Sequence, residues 1–182
     1  MQTLIHTKGF TLVETLVAIT ILIMVIVGPM TVAQKGVQNA YFANDQVTAV
    51  FLAQEAIEAV REMRDELALD AYSTGGNVAD TASWLSGLSC MGGCIYDKQA
   101  STQKFHQCTG ADCTLLRVDD VTSEYSHDSG DSPSQFSRVV TIGAYNVVGV
   151  PVDVLVSWNN HGTQREVKLQ TWIYNHYERY EN

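Results

Sequence analysis

The sequence predicts an α+β protein: one long N-terminal helix, membrane-spanning in its first part, packed by its second half on a C-terminal antiparallel β-sheet. Three observations carry this. From Phe10 to Val27 an 18-residue run holds one ionisable residue, Glu14. From there to roughly Asp70 apolar residues recur at spacings of three and four. After residue 135 the chain alternates apolar and polar with period two.

The first run reads FTLVETLVAITILIMVIV, at the short end of what crosses a hydrocarbon core of about 30 Å. A removable secretory signal would have a shorter apolar stretch and a small-residue cleavage site after it. Here Gly28, Pro29, Met30 and Thr31 follow, so an anchor is expected. Lys8 precedes the span and Lys35 follows it, which gives little guidance on orientation; the short leader favours a cytoplasmic N-terminus. The later helix places Ala43, Val47, Val50, Ile57 and Val60 on one face, flanked by Ala53 and Leu67. Asp45, Gln46, Glu55, Glu58, Glu62 and Asp65 lie opposite. About 60 helical residues would give a rod of roughly 90 Å, weakened at Gly28-Pro29. Turn residues after Tyr72 end the helix.

Residues 71–134 are polar and loop-rich, with two short apolar pieces at Cys94–Tyr96 and Thr114–Val118. The sheet is expected over residues 135–176. Phe136, Arg138, Val140 and Ile142 share a side, then Val152, Val154, Val156 and Trp158, then Val167, Leu169, Thr171 and Ile173. A turn at Asn159–Gly162 joins the last two strands of a three-stranded meander.

Composition narrows the function. The chain has 182 residues, 20 acids and 11 bases, for a net charge of −9. Such a chain repels phosphate backbones, so no nucleic-acid partner is expected. With 46% apolar residues it is not disordered. No H-E-x-x-H, G-x-S-x-G, Walker A or dinucleotide fingerprint occurs. Ser101-x-x-Lys104 fits S-x-x-K formally, but its partner motifs are missing. The reading is therefore not an enzyme, with no cofactor and no catalytic residue.

Lys8-Gly9-Phe10-Thr11-Leu12-Val13-Glu14 resembles the cleavage motif of type IV prepilins and type II secretion pseudopilins. The resemblance covers about the first thirty residues. It implies that a membrane prepilin peptidase cuts after Gly9, removes residues 1–9 and methylates the new amine of Phe10. Glu14, fifth after the cut, would be the assembly residue. One helical turn from Phe10, it would face that amine in its own chain or a neighbour. The pair would be tolerated in low dielectric where a lone carboxylate is not. The implied organisation is a leader (1–9), a transmembrane and assembly helix (10–29) and an extracytoplasmic pilin-like domain (30–182). The implied function is a structural subunit, a minor pilin or pseudopilin of a type IV pilus or type II secretion pseudopilus. Its partners would be other pilin subunits, the prepilin peptidase, an inner-membrane assembly platform and the membrane itself. It would cross the inner membrane once before entering a filament. The alternative is a signal-anchored extracytoplasmic binding domain that never assembles.

Four cysteines, Cys90, Cys94, Cys108 and Cys113, are expected to form disulfides in an oxidising compartment; zinc and free thiols are the alternatives. Three pairings are open. A hairpin between Ile95 and His106 would favour the nested one, Cys90–Cys113 with Cys94–Cys108. Asp119, Asp120, Glu124, Asp128 and Asp131 crowd one loop. They match no EF-hand spacing, so a solvated acidic loop is expected there and no metal site, with calcium binding the alternative. His127, His161 and His176 are expected to be exposed.

Overall fold

A computed structural model describes residues 9–75, 90–98, 104–110, 113–127, 130–144, 149–160 and 162–174. Helix α1 spans Leu12–Ser73. Seven strands follow: β1 (Cys90–Tyr96), β2 (Phe105–Gln107), β3 (Leu115–Val118), β4 (Tyr125–Ser126), β5 (Ser132–Ile142), β6 (Val150–Asn160) and β7 (Thr163–Ile173). The layout is α+β, one long helix and then one antiparallel sheet. The chain divides into two units, Met1–Asn44 and Asp45–Asn182.

From Leu12 to Val32 α1 is apolar on nearly every side, Glu14 and three threonines apart, and its side chains are exposed. Every large apolar side chain from Phe10 to Val32 outside the leader is exposed or nearly so, Phe10 by 80%. The helix passes through Gly28-Pro29 without interruption, although the sequence predicts a weak point there. Proline removes one backbone donor, and the bonds on either side carry the turn. Three threonine hydroxyls donate to carbonyls three residues back: Thr15 to Leu12, Thr20 to Val17 and Thr31 to Gly28, each at 2.8 Å. Their polar groups are thereby satisfied within the helix.

In the second unit the buried face of α1 is Ala49, Leu52, Ala53, Ala56, Ile57, Ala59, Val60 and Ala68. Ala53, Ile57 and Val60 of the predicted face are on it, whereas Ala43 and Val47 are not. Val47 is 54% exposed, and Ala43 lies in solvent. Alanine is a weak hydrophobe and does not mark a stripe by itself. Four of them in a row of turns flatten the helix, however, so that it packs closely with larger residues opposite.

Those larger residues come from the sheet. The inner face of β5 is Phe136, Arg138, Val140 and Ile142, and that of β6 is Val150, Val152, Val154, Val156 and Trp158, all buried. Strand β6 pairs with β5 from Phe136↔Trp158 to Ile142↔Val152. The other edge of β5 is divided: β3 takes Ser132 to Ser137 and β1 takes Val140 to Ile142. β2 then pairs with β1, β4 with β3, and β7 with β6. The meander thus supplies three strands of a seven-stranded sheet. β7 is half-buried at Val167, Leu169 and Thr171 and fully buried at Ile173, since it is the last strand on its side among the described residues.

The hairpin between Ile95 and His106 exists: these two residues are partners in the β1–β2 register. Yet the same register sets Cys94 opposite Gln107, so Cys108, one residue on, faces the other side of the strand. The nested pairing is therefore out of reach. Cys90 is bonded to Cys94 and Cys108 to Cys113, with Cα separations of 6.0 and 5.6 Å. Four extended residues would span about 13 Å. The shorter distance from Cys90 to Cys94 arises because β1 bulges there against β5, with Gly93 at φ +87°. A Cβ on Gly93 would also stand 3.1 Å from Val139 Cγ1, so glycine suits both the turn and the packing.

Candidate functional site

The residues of the motif lie at the start of α1. Gly9, Phe10 and Thr11 precede the first helical residue, Leu12. The Gly9–Phe10 peptide bond is therefore outside the helical hydrogen-bond ladder. A Cβ on Gly9 would meet no atom within 4 Å. Among the described residues, nothing packs against position 9.

Thr11 caps the helix. The Glu14 backbone N–H donates to Thr11 Oγ1 at 3.3 Å, and the Thr15 N–H donates to the Thr11 carbonyl at 3.2 Å. Thr11-x-x-Glu14 has the spacing of a capping box, a signal already present in the sequence. It sets the helix start two residues beyond the Gly9–Phe10 bond. It also places the Glu14 carboxylate in the first turn, where the helix dipole favours a negative charge. Among the described residues that carboxylate makes no ion pair, and its surroundings up to Val32 are apolar.

The polar groups of the second unit are occupied structurally. Arg138, 1% exposed, is the largest fully buried side chain. Its Nη1 donates to the Leu52 carbonyl at 3.1 Å and to Glu55 Oε2 at 2.9 Å; its Nη2 donates to the Tyr96 carbonyl at 3.2 Å. The guanidinium carbon stands 5.3 Å from the centre of the Tyr96 ring. Burial lowers the pKa of this group while Glu55 opposes the shift, and an arginine remains charged throughout. One side chain thus ties α1, β1 and β5 together. Sequence reading placed Arg138 on the apolar face without giving it a role. A lone cation among Phe136, Val140 and Ile142 was the available signal.

Lys104 of the S-x-x-K string reaches Glu62 and Glu66 on α1, each at 3.3 Å, a salt-bridge role rather than a catalytic one. Both cysteine pairs are bridged, leaving no thiolate among the described residues for zinc. In the acidic loop Asp119 accepts from the backbone N–H groups of Val121 and Thr122, at 2.6 and 2.9 Å, and these bonds lower its pKa, Thr122 foremost. Asp131 accepts from the Ser126 hydroxyl, Asp120 from the Ser132 hydroxyl, and Glu124 pairs with Lys98. Asp128 lies outside the described residues. No three His, Cys, Asp or Glu side chains among the described residues are grouped to hold a metal ion. His127 is half-buried, not exposed as its scattered position suggests. Burial and then the Arg138 charge lower its pKa to about 4. His161 and His176 lie outside the described residues.

An apolar helix with its side chains uncovered thus follows a short non-helical segment at Gly9–Thr11. The prokaryotic N-terminal methylation motif matches residues 6–28. This is the type IV pilin-like prepilin motif, and the chain carries it on the one helix, among the described residues, long and apolar enough to cross a membrane. Comparison with curated proteins and with solved structures found no match.

Proposed function

We propose that this chain is a minor pilin or pseudopilin, a structural subunit of a type IV pilus or a type II secretion pseudopilus. The single observation that carries the reading is the methylation motif, lying on an exposed apolar helix with its scissile bond outside the first turn. In this reading the prepilin peptidase cuts after Gly9 and methylates Phe10. Residues 10–29 hold the chain in the inner membrane with the N-terminus cytoplasmic, and residues 30–182 form the extracytoplasmic domain. An assembly platform then draws the subunit into a filament beside other pilins. There Glu14 meets a Phe10 amine and sets the axial register, because an unpaired carboxylate is costly where water is scarce. The cysteines are oxidised after export. The role is mechanical, without a reaction of its own.

The test is the mass of the protein purified from membranes of cells with an active prepilin peptidase. A chain beginning at methylated Phe10 is expected. Gly9→Val should leave the longer precursor, since a branched side chain obstructs close approach to the scissile bond. A wild-type chain that keeps Met1 would overturn the reading and favour a simple anchored domain.

A further inference from the structure

The edge strand β7 carries a pattern that neither the motif nor the sheet's own packing uses. It is 11 residues long, Thr163–Ile173, and pairs with β6 along its full length. Among the described residues no strand pairs with its other edge. Long strands with an open edge invite another chain, and most proteins blunt them.

Around Val167 the strand reads nearly the same in both directions. Thr163 mirrors Thr171, Gln164 mirrors Gln170, and Arg165 mirrors Leu169, the one dissimilar pair. Glu166 mirrors Lys168, so that a charge stands opposite its complement. We infer that two copies of this chain pair antiparallel through their β7 edges, about a two-fold axis at Val167, to form one continuous sheet.

Charge complementarity selects both the occupant and the register. With the axis at Val167, Glu166 of each copy lies across from Lys168 of the other, giving two opposite-charge pairs. Moving the axis by one residue either way sets Glu166 against Glu166 or Lys168 against Lys168, which is repulsive. Isolated edge charges that merely discourage pairing have no reason to be complementary about one point. Glu166 is exposed and makes no ion pair among the described residues. Lys168 lies 3.7 Å from Asp153 and keeps 53% of its side chain exposed, so it is open to a second carboxylate. On the inner face, Val167 and Leu169 are half-buried, and an added strand would complete their cover. The central Val167 pair is a β-branched contact suited to a sheet.

Such a contact is isologous: each copy uses the same edge, and the pair closes on itself without propagating. It is separate from any filament contact of the N-terminal helix.

The full-length protein in detergent micelles, carrying Val167→Cys, is treated with a short bismaleimide. The bridged native cysteines do not react with it. The paired Cβ atoms would lie about 5 Å apart, so a covalent dimer is expected. Gln170→Cys, about 20 Å from its own copy in this register, should give about ten-fold less. Added to Val167→Cys, Glu166→Lys or Lys168→Glu alone should cut the dimer about ten-fold, and the two together should restore it. Restoration by the swap cannot come from misfolding. A Val167→Cys yield no greater than that of Gln170→Cys overturns the pairing. Single reversals without effect, or a swap that fails to restore, overturn the register.

Discussion

Replacing Arg138 by alanine is the most exacting test of how the helix is held on the sheet. The change removes donors from two backbone carbonyls, Leu52 and Tyr96, and from Glu55. Hydrogen bonds to a charged group contribute about 1.5–3 kcal/mol each, but the losses are not additive. The Glu55 side chain is 36% exposed, so water takes over most of its bonding. The two carbonyls sit among buried residues and are left with poorer partners, and the guanidinium leaves a void. The net cost should be about 3–5 kcal/mol, the range for breaking a buried pair from one side. At 1.4 kcal/mol per decade this is two to four decades in the folding equilibrium. Urea unfolding of the full-length protein in detergent, followed by emission from buried Trp158, measures it. Arg138→Met, which fills most of the space, should lose less than Arg138→Ala. A loss under about 1 kcal/mol for the alanine variant would refute the reasoning, because it would mean that water replaces the guanidinium at no cost.

Three further outcomes are expected. His127 has a folded pKa of about 4, depressed first by burial and then by Arg138. The unfolded chain therefore binds more protons between about pH 6.5 and 4. The contribution of His127 to stability is present above pH 6.5 and is lost as pH falls toward 4; His127→Gln should flatten the melting temperature across that window. Opening the Cys90–Cys94 bridge by a double serine substitution should cost about 2 kcal/mol, the chain-entropy value for so short a loop, read from the shift in urea midpoint. Glu14→Ala should leave the melting temperature of the second unit unchanged and permit cleavage, yet lower the amount of this chain in sheared filaments; undiminished incorporation would remove Glu14 from the assembly step.

Much of this was legible in the sequence. The motif at Gly9, Phe10 and Glu14 is contiguous, so no tertiary knowledge is needed to read it. The long helix announces itself by composition in its first part, and the β5–β6–β7 meander by alternation over eleven-residue strands. The remainder of the sheet was harder to read. β2 and β4 have three and two residues, too few to show a period, and β1 breaks its alternation at the Gly92-Gly93 bulge. The buried face of α1 holds Ala53, Ile57 and Val60 as expected, but Ala49, Ala56, Ala59 and Ala68, which complete it, are too weakly apolar to mark a stripe. The cysteine pairing depends on a one-residue offset between β1 and β2, which only the strand register reveals.

In the proposed assembly, the threonines of the apolar segment bear on how subunits tell one another apart. With Thr15, Thr20 and Thr31 each bonded to their own helix, the surface from Leu12 to Val32 offers a neighbour almost nothing but hydrocarbon. Lipid tails are as apolar as leucine, so in a bilayer such a surface attracts without discriminating. Cohesion and identity are therefore encoded in different places. In the proposed filament, contact area would come from the helix, while the choice of neighbour would fall to Glu14 and to the surfaces of the second unit. Sequence drift among Leu, Ile, Val and Met in the span should be nearly silent, whereas a second polar residue there would give the chain a new preference for a partner.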